Sequence, residues 1–121
     1  MSMQIDTRLG EQIGRYLDLT TSQIKLTAAN MANIDTPGYR AVGMDFEAEI
    51  EQAMASVDYN LPPRPPRLRD VDGLISRPDG NNVSMDREGL TLAEAQLKFK
   101  IGVALLRGEN QAVMDAIHAD K

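Results

Sequence analysis

Apolar positions in the first third of the chain recur at alternating intervals of three and four. Leu17, Thr20, Ile24, Thr27, Met31 and Ile34 keep that rhythm, and Leu9 and Ile13 extend it backwards. A heptad seam of this kind predicts a helix from about residue 9 to residue 33, ~37 Å long at 1.5 Å per residue. Leu19 and Leu26, seven apart on a flank, give that helix a second neighbour. A second helical pattern runs from about Ser84 to Ala119. Ser84 precedes Asp86 and Glu88, acids placed where the macrodipole favours them. Thr91 with Glu94 forms a competing capping box. A start near Ser84 is preferred, with Gly89 inside the helix at a cost of ~1 kcal/mol relative to alanine. Phe99, Val103, Leu106, Val113 and Ile117 make one stripe, interrupted by Asn110. Leu90, Leu97, Ile101, Ala104, Leu105 and Ala112 make another, and Gly102 and Gly108 could admit close helix approach. Two stripes exceed what a single antiparallel partner consumes, so the surplus points to burial against other chains.

Residues 40–83 lack this order. Asp45 can cap a short helix with Phe46, Ile50, Met54 and Val57 on one face and Glu47, Glu49 and Glu51 on others. Then comes LPPRPPRLR, from Leu61 to Arg69, whose prolines exclude helix and sheet ladder and favour polyproline II or disorder. A charged, solvated linker is the first reading of that run. The functional alternatives are a proline-rich ligand or a basic arm meeting acidic surface on a neighbouring subunit. Asp72-Gly73 and Asp79-Gly80 are turn signals, with at most a short strand at Leu74-Ile75 between them. The expected organisation is mainly α: 1–35 and 84–121 form one helical core. Residues 36–83 supply a turn, a short helix and an extended Pro-rich loop.

Composition narrows the function classes. At 121 residues there is room for one domain with a modest core. A net charge of −5 argues against a nucleic-acid role through a dominant basic field. Without cysteine there are no disulfides, thiolate metal sites or cysteine nucleophiles. No run approaches the ~20 apolar residues of a transmembrane helix, and no apolar core of a cleaved signal is expected in the first twenty residues. The sole histidine, His118, sits near the end on a fraying turn. Asp45, Glu47, Glu49 and Glu51, like Asp86 and Glu88, fall at predicted helix starts, where the dipole accounts for them. The glycines match no phosphate loop. No catalytic, cofactor-binding or metal-ligating residues are therefore expected, and the chain is read as no enzyme. Two helices and an irregular segment bury little, so the isolated chain should be marginal and gain burial by polymerising.

The most constrained segment closes the first helix. It reads A-N-M-A-N-I-D-T-P-G-Y from Ala29 to Tyr39. Asn30 and Asn33 share one face, as do Ala29 and Ala32, whose small side chains leave room for another backbone. Asn33 tolerates the left-handed conformation that often ends helices. Thr36 is pushed out of the helical region by the following proline, and Pro37-Gly38 fits the centre of a type II turn. This pattern resembles the N-terminal signature of bacterial flagellar rod and hook proteins. The continuation Arg40-Ala41-Val42-Gly43-Met44-Asp45-Phe46 and the stretch from Asp79 to Glu88, DGNNVSMDRE, are similar to the proximal rod FlgB type. The short length suits it too, and the second proximal rod type, FlgC, is the nearest alternative.

The resemblance implies a mechanism. Such subunits are exported unfolded by the flagellar type III apparatus and assemble into a hollow rod in the cell envelope. Their terminal helices pair as an antiparallel coiled coil lining the tube. The implied interface residues are Leu17, Ile24, Met31, Ile34, Leu97, Phe99, Ile101, Val103, Ala104, Leu106, Val113 and Ile117. The implied partners are copies of the chain, other rod proteins and the adaptor at the membrane ring. Asn30, Asn33 and the Thr36–Tyr39 turn would orient the exit from the inner helix, so changes at Pro37 or Gly38 should impair assembly more than helix content. A small helical adaptor or secretion chaperone is the alternative from another class.

Overall fold

The computed structural model describes residues 7–119, so 1–6 and 120–121 of the expected helical core lie outside it. Three helices hold most of the described residues. The first, α1, spans Arg8–Ala32 and opens on Thr7, whose Oγ1 accepts the Gly10 N–H at 2.8 Å. The second, α2, spans Phe46–Asp58, and Asp45 caps it by accepting the Ala48 N–H at 3.2 Å. The third, α3, spans Met85–Ala119. Ser84 begins it: its Oγ accepts the Arg87 N–H at 3.3 Å and its carbonyl the Glu88 N–H at 2.9 Å. The helix runs through Gly89 unbroken, which leaves Thr91 and Glu94 inside it. Two short strands, β1 (Val42–Gly43) and β2 (Arg69–Asp70), pair antiparallel with Val42 opposite Asp70. The turn-flanked Leu74-Ile75 is not a strand, and Ile75 is 90% exposed.

α1 packs chiefly on α3, with α2 against its side. Thr7 Oγ1 donates to Glu109, Tyr16 and Leu17 press on Gly102, and Asn30 donates to Glu88. The contact positions thus fall along α3 as they rise along α1. The seam's centre follows the small members of the expected heptad on α1, whereas most of its large members stand at the edges. Ile13, Thr20, Thr27 and Asn30 are buried along α1, and Glu88, Ala95 and Gly102 along α3. Leu17, Ile24, Met31, Val103, Leu106 and Val113 are only half-buried, as is Ile34 beyond the helix end. The reason is steric, since small residues let the backbones approach. A Cβ added at Gly102 would lie 2.5 Å from Leu17 Cδ2 and 3.0 Å from Tyr16 Cδ1, while one at Gly108 would meet nothing within 4 Å. Phe99 and Ile117 are exposed, and so are Leu90, Leu97, Ile101, Ala104 and Leu105, which occupy a face of α3 that no described element covers.

α2 is fixed to both long helices through Phe46. Its ring meets Tyr16 edge-on at 6.0 Å between centroids, and Lys98 Nζ stands 4.0 Å from the same ring. The Pro-Arg run stays largely exposed, as a solvated linker does, but it is fastened as a strap. Glu49, on the inner face of α2 and 6% exposed, accepts the Arg67 backbone N–H at 3.1 Å, and Arg64 Nη1 lies 3.4 Å from its other oxygen. Arg15 holds the strap's beginning by donating to Ser56 Oγ and to the Leu61 carbonyl. A buried carboxylate needs such partners, so the prolines set the strap's backbone and Glu49 decides where it lies.

Candidate functional site

The residues singled out at the end of the first helix form a buried polar knot. Asn30 lies in the last turn of α1, 1% exposed. Its Nδ2 donates to the Val42 carbonyl at 2.8 Å and to Glu88 Oε1 at 3.1 Å. Its Oδ1 accepts the Val42 N–H and the Tyr39 hydroxyl, each at 3.1 Å. All four capacities of the amide are used. One side chain therefore joins α1, β1, the turn at Tyr39 and the start of α3. Glu88 Oε1 also accepts Arg87 Nη1 at 2.7 Å, which offsets part of the cost of burying a charge.

Asn33 ends the helix without entering the left-handed region, at φ −102° and ψ 20°. Its own side chain removes the need: Nδ2 donates back to the Ala29 carbonyl at 2.8 Å and Oδ1 accepts the Thr36 hydroxyl at 2.9 Å. Next, Tyr39 N–H closes on the Thr36 carbonyl at 3.1 Å, with Gly38 at φ 74°, the geometry of a type II turn. Ala29 and Ala32 are exposed.

The second half of the knot comes from the loop before α3. Asn81 Nδ2 donates to the Asn33 and Thr36 carbonyls, both at 2.8 Å, while its Oδ1 accepts the Val83 N–H at 2.8 Å. Asn82 Oδ1 accepts the Ala41 N–H at 2.6 Å. Arg77 donates to the carbonyls of Ile34 and Val83. The Gly38 N–H donates to the Asp79 carbonyl at 2.8 Å. The carbonyls of Asn33, Ile34 and Thr36, just past the end of α1, are thereby satisfied by residues more than forty positions later. In the sequence Asn81, Asn82 and Glu88 stand out only as part of a family-like stretch and a dipole-favoured helix start. The available signal was the Asn-Asn pair after an Asp-Gly turn, two amides more than a loop requires. Among the described residues no group of three or more His, Cys, Asp or Glu gathers to hold a metal. The arrangement fixes the direction in which the chain leaves α1.

No protein-family model matches the chain. The flagellar basal body rod protein FlgB of Salmonella typhimurium is 30% identical over 119 residues, covering 84% of this chain and 86% of its own. The chain belongs to the FlgB family of flagellar basal body rod proteins. FlgB of Yersinia ruckeri is 29% identical, with 84% and 87% coverage, and FlgB of Borrelia hermsii is 30% identical over 107 residues, with 72% and 78%. Alignments of this reach extend well beyond the Ala29–Tyr39 signature. As a FlgB-family chain it is a structural rod component of the flagellum. None of its helices, among the described residues, is long and apolar enough to cross a membrane.

Proposed function

We propose that the chain is a subunit of the proximal rod, built into the hollow drive shaft of motility through its terminal helices. The observation that carries this is the uncovered apolar face of α3. Leu90, Leu97, Ile101 and Leu105 are exposed although α1 already occupies the face bearing Glu88, Ala95 and Gly102. Contiguous apolar surface of that kind marks an interaction site, and adjoining subunits of a tube would cover it. α1 and α3 act as an antiparallel coiled coil in this reading, supported by seven-residue spacing on both helices and by the order of their contacts.

The remaining roles follow from family membership. Copies of the chain, other rod proteins and the adaptor at the membrane ring are the neighbours. The flagellar type III apparatus delivers the subunit without a cleaved signal, and the rod lies in the periplasmic part of the envelope. The knot from Ala29 to Tyr39 sets the angle at which the chain leaves the inner helix, with Pro37 and Gly38 mattering for assembly. The work is mechanical and structural, with no catalytic step.

Mass spectrometry of basal bodies purified from the native host tests this directly. The expected result is a small fixed number of copies, retained after the filament is stripped and lost when Leu97 and Ile101 are both replaced by lysine. The double variant should keep the urea midpoint of the parent, because both side chains are already exposed. If the native chain is absent from clean basal bodies and stays soluble in the cytoplasm as a dimer, the rod reading fails and the adaptor reading replaces it.

A further inference from the structure

Charge along this molecule is segregated. The LPPRPPRLR strap holds three arginines and no acid in a chain of net charge −5, so everything outside the strap is more acidic than the whole. Arg64 is occupied by Glu49. Arg67 offers Glu49 only its backbone N–H. Its side chain and that of Arg69 are exposed and form no ion pair among the described residues. Residues two apart in an extended segment project to the same side, ~6.6 Å apart, which sets Asp70 on the other side. Exposed Leu68 lies between them.

A matching surface exists on α2. Glu47 and Glu51 are exposed, make no ion pair among the described residues, and sit one helical turn apart, ~6 Å along the axis. The neighbouring Ala48 and Ala55 are also exposed and keep that face low. The strap of the same chain is directed away from it. Glu49, the strap's anchor, is two residues from each acid, ~200° around the helix.

We infer that the strap of one copy docks through Arg67 and Arg69 on Glu47 and Glu51 of a second copy. The inference rests on the rod reading and assigns it a contact separate from the α3 stripe. A basic edge and an acidic edge on different sides of one subunit make a heterologous contact, which propagates around a ring or helix without closing as a twofold dimer. Exposed ion pairs are individually weak, so this contact supplies orientation and register to an assembly held mainly by apolar burial.

Charge reversal in the full-length chain, expressed in the native host, tests it. Arg67→Glu with Arg69→Glu, and separately Glu47→Lys with Glu51→Lys, should each lower copies per basal body roughly fivefold or more. The quadruple variant should restore most of the loss, because the pairs re-form with opposite sign. Urea melts serve as the folding control, and Arg67→Gln with Arg69→Gln replaces any reversal that does not fold. Unchanged incorporation of both double variants, or losses that the quadruple variant leaves unrepaired, overturns the docking while the native chain's presence keeps the rod reading intact. Absence of the native chain from basal bodies overturns the rod reading and the docking together.

Discussion

Asn30 shows how much one amide can organise when every lone pair and N–H is used. Replacing it with alanine strands the Val42 N–H and carbonyl and removes a donor from buried Glu88. Each unsatisfied buried group costs ~1–3 kcal/mol, so Asn30→Ala should lower unfolding free energy by about 3 kcal/mol or more in a urea titration. Asn30→Asp should be worse despite its near-identical shape, since it loses both donors and sets a second carboxylate against Glu88. An Asp variant as stable as the parent would show that the geometry at Glu88 counts for less than its burial suggests. At this scale the sequence was half legible. Two asparagines on an apolar helix signalled a polar role, but their partners lay up to fifty-eight residues away, where no local pattern reaches. The left-handed end expected at Asn33 failed for a related reason: its side chain bonds backward to Ala29 and forward to Thr36, and the backbone has no need to turn.

The helices themselves were readable because periodicity and capping agree. Thr7, Asp45 and Ser84 each stand one residue before a helix and accept an N–H from its first turn. Periodicity marked Thr20 and Thr27 in the seam, and Gly102 as a place for close approach, but it did not mark Ala95. A hydropathy pattern gives weight to Leu, Ile and Val, whereas the close contact runs through Thr20, Thr27, Ala95 and Gly102, which carry almost no hydropathy. The two-residue strands escaped notice because nothing that short has a pattern. Close packing makes one contrast measurable. Gly102→Ala should destabilise, because overpacking costs ~1–3 kcal/mol against a helix-propensity gain of at most ~1 kcal/mol. Gly108→Ala has open space and should stabilise by up to ~1 kcal/mol. Opposite shifts of thermal midpoint for the same substitution, six residues apart, would locate the seam; matching shifts would remove it from Gly102.

For the whole molecule, the distribution of contacts matters more than their number. The seam is narrow, the strap and the turn after α1 are tied by polar bonds, and a large share of apolar side chains on α3 stay outside. Such a subunit resembles one side of an unfinished interface, which the sequence foreshadowed through its surplus stripe. The fastening of α1 by Arg77 and Asn81 has a further consequence, in time. A polypeptide emerges N-terminus first, so the exit from the first helix waits for a clasp made more than forty residues afterwards. A fragment ending at residue 70 would contain α1, α2 and both strands, yet by circular dichroism it should show less helix than its residue count implies. Full helicity in that fragment would mean that the clasp merely decorates a finished end. With the clasp required, an interrupted chain cannot present a properly closed first helix. Its neighbours would then receive only subunits whose far end has already arrived.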